Sequence, residues 1–279
     1  MTAEERIKNR KIGIVGMARS GMAAASLALE WGGQPFVSDC ASASKLARET
    51  AQLKRKGIPF ETDRHSERLL ACDYLVASPG VPPDIEILRK AREKGIPIFS
   101  ELEFAFWACR GKVIAVTGSN GKTTTTTLIG EIFKAAGYES SVCGNIGLPL
   151  SEVVSKTNEN SVTVVEVSTF QLEAIADFKP YVAVILNLSP DHLDRHGSFE
   201  GYKALKYRIT ENQTAEDFLV LNKDDVETMN DVANGVIAAE AKKVFFTTTD
   251  TTGVSTYVKD GFLYTSWGGT ESKVIHCHD

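Results

Sequence analysis

The sequence predicts an α/β fold built from an N-terminal Rossmann-like parallel sheet followed by a phosphate-loop α/β unit with a small antiparallel hairpin. Three observations carry this. Short apolar strands alternate with helical patterns along most of the chain, the order that builds open parallel sheets. Two strands run straight into glycine-bearing turns that open helices, at Gly16–Gly21 and Gly118–Gly121. Polar residues also gather just past strand ends, the edge where ligands collect in open α/β sheets.

The first unit is expected over residues 1–102. Lys11–Val15 reads as a strand and Met22–Trp31 as a helix closed by Gly32-Gly33. Between them, Gly16-Met-Ala-Arg-Ser-Gly21 departs from the dinucleotide fingerprint at Ala18, which argues against an NAD site. Pro35–Ser38 reads as the second strand. Asp39 follows at its carboxyl end, suited equally to a ribose or base contact and to a helix cap. A helix over 43–56, a strand near Ile58 and a strand over Asp73–Ala77 continue the alternation. Ser78-Pro79-Gly80 closes that last strand as a turn and lies on the ligand-bearing edge. A helix over Ile85–Lys94 and a strand over Pro97–Phe99 complete the unit.

The second unit, residues 103–279, opens on Lys112-Val-Ile-Ala-Val-Thr-Gly-Ser-Asn-Gly-Lys-Thr-Thr124. Val113–Val116 suit a buried parallel strand, and Gly118 and Gly121 allow the backbone to turn successive N–H groups toward one anion. Leu128, Ile129, Ile132, Phe133 and Ala136 recur at helical spacing, so the positive end of a helix faces the same point. Lys122 is placed to reach nucleotide phosphates and Thr123 to hold magnesium. A full Walker A pattern has glycine at position 116, where this chain has Val116.

Gly144-Asn145-Ile146-Gly147 presents one amide from a glycine-framed turn. In the apolar strand Val162–Ser168, Glu166 is costly to bury unless it is paired or holds a metal. The strand Tyr181–Leu186 empties into Asn187-Leu-Ser-Pro-Asp-His-Leu-Asp194, which makes His192 a candidate magnesium or substrate ligand. A helix beyond Ser198 carries Tyr202, Lys203, Lys206, Tyr207 and Arg208. By residue type Lys206 reads as a solvated helix lysine. After the strand Asp217–Leu221, Asn222-Lys-Asp-Asp225 mimics the guanine-reading N-K-x-D of GTPases. Val116 in place of the loop's first glycine and the lack of a D-x-x-G switch argue against a GTPase. Val244–Phe246, a hairpin over Tyr257–Tyr264 turning at Asp260-Gly261, and a strand over Ser272–His276 follow.

The chain has 279 residues, 43% apolar and 24% charged, enough for two ordinary domains, and a net charge of -5 that offers no basic field for nucleic acid. Cys40, Cys72, Cys109, Cys143 and Cys277 are scattered without a C-x-x-C pair, which favours reduced thiols over a disulfide or zinc framework. There is no signal-peptide stretch and no run near the roughly 20 apolar residues that cross a bilayer. A cytoplasmic protein is expected, with small-molecule partners.

T-G-S-N-G-K-T-T (117–124), G-N-I-G, E-V-S-T-F-Q-L-E, N-L-S-P-D-H-L-D-R-H and L-N-K-D-D occur in that order, and together they resemble the Mur ligase family, in particular its D-glutamate-adding branch. The resemblance implies a bacterial, monomeric ATP-dependent ligase of peptidoglycan synthesis acting on UDP-N-acetylmuramoyl-L-alanine and D-glutamate through an acyl phosphate. It implies that Gly118, Ser119, Asn120, Gly121, Lys122, Thr123 and Thr124 bind ATP phosphates, with Asn222 and Asp225 near the adenine. Thr123, Glu166, His192 and Lys206 would serve two magnesium ions, Lys206 as a carbamylated lysine, and Lys122, Glu166, His192 and Lys206 would form the catalytic set. Arg19, Ser20, Asp39, Ser78, Pro79 and Gly80 would border the uridine diphosphate, and Asn145, Ser168 and His192 the rest of the precursor. Family members continue into a third domain that contacts the amino acid. A chain stopping at Asp279 is therefore expected to bind the precursor, and ATP more weakly, yet to form no product alone. The alternatives are a nucleotide- or muropeptide-binding module without catalysis, and a Mur-type ligase adding a different amino acid.

Overall fold

The computed structural model describes residues 2–237, 239–248, 254–267 and 269–277. Strands β1 (Lys11–Val15), β2 (Gln34–Ser38), β3 (Phe60–Glu61), β4 (Tyr74–Ala77) and β5 (Ile98–Ser100) form one sheet in the order β3-β2-β1-β4-β5, parallel throughout. The order reverses beside β1, so β2 and β4 leave a crevice at their carboxyl ends, the usual ligand position in such sheets.

The second sheet contains β6 (Lys112–Thr117), β7 (Ser140–Gly144), β8 (Val162–Glu166), β9 (Val182–Ile185), β10 (Phe218–Asn222), β11 (Lys242–Thr247), β12 (Thr256–Lys259), β13 (Phe262–Trp267) and β14 (Thr270–His276). Its order is β14-β13-β12-β11-β10-β9-β6-β8-β7, parallel from β7 to β12 and antiparallel beyond. Asp260 and Gly261, with φ of 49° and 76°, make the two-residue turn between Lys259 and Phe262. Both positive angles are what an Asp-Gly hairpin turn requires.

Both faces of the central strand β6 are covered, which suits its continuous apolar run. In β6, Val113 and Ala115 join a core shared with Ile12, Ile14 and Leu27 of the first sheet and its helix. Ile114 and Val116 face the other way, against Ile129 and Phe133 of the helix Lys122–Ala135. The helix Glu101–Phe106 links the sheets, and its fully buried Glu103 accepts the backbone N–H groups of Ala176, Asp177 and Phe178 at 2.9, 2.9 and 2.8 Å.

Several boundaries differ from expectation. The helix expected over 43–56 starts at Ala47, the strand expected near Ile58 falls at Phe60–Glu61, and the helix after β1 starts a turn early, at Arg19. Strand β7 has no counterpart in the sequence reading. It is a half-buried edge strand of small residues, so it carries neither an apolar run nor an alternating pattern.

Candidate functional site

The loop after β6 is strapped to the exit of β9. Asn187 accepts the Ser119 N–H on its backbone carbonyl and the Asn120 N–H on its side-chain carbonyl, both at 2.9 Å. The Ser119 hydroxyl donates to Ser189 O at 2.9 Å, so the Tyr202 hydroxyl 3.0 Å away must donate to Ser119 Oγ. Gly121 sits at φ 81°, where only glycine turns freely, and starts the 14-residue helix Lys122–Ala135. The N–H groups of Gly121, Lys122, Thr123 and Thr124 have no acceptor among the described residues. They are free donors at the positive end of a helix.

Two ammonium groups converge there. Lys122 Nζ donates to Gly118 O and Ser119 O at 2.9 and 2.8 Å, and Lys206 Nζ donates to the same Gly118 O at 2.8 Å. The expectation of a solvated Lys206 is corrected: the side chain is 2% exposed. The helix Phe199–Tyr207 packs Tyr202, Lys203, Lys206 and Tyr207 inward, with the Tyr202 ring 4.5 Å from the Lys206 ammonium. Burial, and then the charge of Lys122, lower the Lys206 pKa to about 7, against a smaller pull from Asp191. Two cations on one carbonyl repel, and an anion between them would relieve both.

Glu166 is also buried, at 2% exposure, and β8 lies between β6 and β7, so it is not an edge-strand glutamate facing solvent. Its Oε2 accepts the Thr123 hydroxyl at 2.7 Å and its Oε1 accepts Asn145 Nδ2–H at 2.8 Å. Thr123 and Glu166 supply the hard oxygen donors that magnesium takes, beside the free loop amides, so this pair fits such an ion. Among the described residues no three His, Cys, Asp or Glu side chains group closely enough to hold a metal by themselves. His192 lies in the loop after β9 at φ 49°, its side chain 54% exposed and its ring 5.3 Å from that of Phe170. Ser168 caps the helix Thr169–Leu172 in a reciprocal pair with Gln171.

A cleft of about 640 Å³ gathers Arg19, Ser20, Asp39, Ser78, Pro79, Gly80 and Asn145, together with Cys40, His65 and Gln171. Asp39 is not a helix cap. It accepts the Met17 and Ala41 N–H groups at 2.7 and 2.8 Å and so fixes the turn after β1. Gly21 lets the following helix close onto that turn, since a Cβ there would lie 1.9 Å from Gly16 O. Arg19 donates to Gly147 O across the cleft. The Ser78 hydroxyl is buried on the cleft wall without a partner among the described residues. Asn222 and Asp225 are spent on structure: Asn222 donates to Leu186 O at 3.0 Å, and Asp225 caps the helix Val226–Ala233 and accepts the Leu188 N–H at 3.2 Å.

Sequence reasoning missed the Tyr202 hydroxyl, Arg208 and His65. Tyr202 and Lys206 are four apart on one helix, a spacing that puts them on the same face. Arg208 donates to Leu172 O, Glu173 O and Ile175 O, a role no local pattern reveals.

A glycine loop with lysine at the head of a helix, in a parallel sheet set against a second parallel sheet and its cleft, defines a nucleotide-binding α/β protein. Residues 116–279 match the Mur ligase middle domain and residues 11–87 the MurD N-terminal domain. The chain belongs to the Mur ligase family. Among its relatives, the UDP-N-acetylmuramoylalanine--D-glutamate ligase of Geobacter sp. (strain M21) is 48% identical over 220 residues, 78% of this chain and 49% of the relative. That of Koribacter versatilis (strain Ellin345) is 42% identical over 259 residues, 92% and 56% respectively. The chain spans about half the length of these curated relatives. The fold is shared with the UDP-N-acetylmuramate:L-alanyl-gamma-D-glutamyl-meso-diaminopimelate ligase from Neisseria meningitides (TM-score 0.62, 17% identity, 95% of this chain and 87% of that one). It is shared too with the UDP-N-acetylmuramate-alanine ligase MurC from Thermotoga maritima (TM-score 0.54, 22% identity, 95% and 60%).

Proposed function

We propose that this chain carries the precursor- and ATP-binding parts of a ligase that joins D-glutamate to UDP-N-acetylmuramoyl-L-alanine. One observation carries this reading: Glu166 touches Thr123 of the phosphate loop and Asn145 of the cleft with its two oxygens, so the two sites meet at a single carboxylate. The cleft within residues 1–102 takes the uridine diphosphate against Arg19, Ser20, Asp39 and Ser78–Gly80. The loop within 103–279 takes ATP.

The free amides of 121–124 and the Lys122 ammonium bind the phosphates and neutralise charge as the γ-phosphoryl group moves. Thr123, Glu166 and His192 would hold two magnesium ions, which supply further cationic stabilisation of that group. The precursor carboxylate attacks the γ-phosphorus, forming acyl phosphate and ADP. The D-glutamate amine then attacks the acyl carbon, forming the amide and expelling phosphate. Ser168 and Asn145 orient the precursor end, and Asn222 and Asp225 shape the wall near the base. A Lys206 amine with a pKa of about 7 is about half neutral at pH 7, and the neutral form is the one that adds to carbon dioxide with loss of a proton. The resulting carbamate would turn one of two repelling cations into an anion. Five free thiols suit a reducing cytoplasm.

Calorimetric titration tests the reading. The chain is expected to bind both UDP-N-acetylmuramoyl-L-alanine and magnesium-ATP, with Asn145→Ala weakening the first and Lys122→Ala the second. Binding of ATP without binding of the precursor overturns it in favour of a plain nucleotide module.

A further inference from the structure

His65 lines the cleft beside Asp39 and Cys40. Its ring is fixed by a short chain of hydrogen bonds. Ser38, fully buried at the end of β2, lies 2.8 Å from Glu61 Oε1 and 2.8 Å from His65 Nδ1. Glu61 is held below the usual carboxylate range by its bonds to Ser66 and Ser38 and by Arg64, against the opposing cost of burial, and is therefore an acceptor only. A hydroxyl has one hydrogen, and Ser38 must give it to one of its two oxygen acceptors, Glu61 Oε1 or Arg64 O at 3.2 Å, neither of which can donate. Nδ1 of His65 must then be the donor to Ser38 Oγ. Burial lowers the His65 pKa, outweighing the attraction of Asp39 and Glu61, so the neutral ring prevails at pH 7. A neutral imidazole with its proton on Nδ1 carries a lone pair on Nε2, and that atom has no partner among the described residues.

We propose that His65 is a recognition residue of the cleft, its Nε2 accepting a hydrogen bond from a donor on the nucleoside of the bound uridine diphosphate. Three groups have this chemistry, the 2′- and 3′-hydroxyls of the ribose and the imide N–H of the base. The inference rests on the cleft being the uridine diphosphate site. It goes further by fixing a tautomer, and with it the polarity of one contact: a donor on the ligand is selected and an acceptor is rejected.

The test uses UDP itself, titrated calorimetrically at pH 7.5 into the wild-type chain, His65→Asn and His65→Gln. Asparagine retains a donor near Ser38 and removes the Nε2 position; glutamine restores an acceptor near it. UDP affinity is expected to fall about tenfold in His65→Asn, the worth of one hydrogen bond, and to recover in part in His65→Gln. Ligands lacking one donor locate the partner. Against 2′-deoxy-UDP, 3′-deoxy-UDP or 3-methyl-UDP, whichever lacks the contacted group, wild type is expected to lose the same factor and His65→Asn nothing more. A purely structural His65 would give losses that multiply with all three analogues, and that result overturns the assignment. Wild-type chain that does not bind UDP overturns the cleft reading and the inference together, whereas binding with multiplying losses sinks the inference alone.

Discussion

The turn after β1 and the loop after β6 share one backbone plan, a parallel strand, a glycine-bearing turn and a helix, yet carry opposite charge. In the first, the Asp39 carboxylate binds the Met17 and Ala41 N–H groups and supplies an anion from within the protein. In the second, Lys122 and Lys206 both bond Gly118 O, while four backbone N–H groups stay free. Backbone topology therefore offers an anion site twice. The N–H groups of residues 18–21 are as free of acceptors among the described residues as those of 121–124, so both helix starts stay open to an anion; what differs is side-chain charge, an internal carboxylate bracing the first turn and two ammonium groups converging on the second.

The comparison breaks most sharply at Lys122. Lys122→Ala should lower magnesium-ATP affinity by about 10- to 100-fold, the worth of one or two charge-assisted hydrogen bonds, with an unchanged melting profile. Affinity within twofold of wild type would show that the amides alone hold the phosphates. Next, Asp39→Ala should cost about 2 kcal/mol in urea denaturation, because two N–H groups lose a charged acceptor. It should weaken UDP binding and leave ATP affinity intact; a loss confined to ATP would show that the two turns are not separate sites. Glu166→Gln, which keeps the shape but removes the charge, should shift the magnesium titration of ATP binding several-fold to higher concentration. An unshifted curve would make Glu166 a strut between Thr123 and Asn145.

The smallest effect concerns Lys206. Its folded pKa, about 7, lies below its ordinary value of 10.5, so the unfolded chain binds more protons between those limits and stability rises with pH across them. The penalty of the buried ammonium is fully present below about pH 7. In buffer free of carbon dioxide, Lys206→Met should raise the melting temperature by a few degrees at pH 6.5, and the gain should shrink by pH 9.5. A gain independent of pH would mean that the methionine simply packs better.

Much of the fold was legible from local pattern. β1 falls on its expected residues, β8 starts at the expected Val162 and ends two residues early at Glu166, and the hairpin turn falls on Asp260-Gly261. Strand β7 was not legible, because Ser140, Ser141 and Gly144 leave it too few apolar residues to signal. At the site, the loop residues and Glu166 announced themselves through spacing and through the cost of a carboxylate in an apolar strand. His65 gave no such sign, since its tautomer depends on Ser38 and Glu61 from two different strands.

The sequence by itself determined the order of strands and helices, the phosphate loop and the acid beside it, because each is written in the spacing of neighbouring residues. The tertiary structure alone decided that Lys206 is buried against Lys122 and titrates near neutrality, and that one glutamate joins loop to cleft. It also decided that Asp39 is committed to its own backbone. A charge takes its energy from everything packed around it, and that surrounding is assembled from residues far apart in the chain.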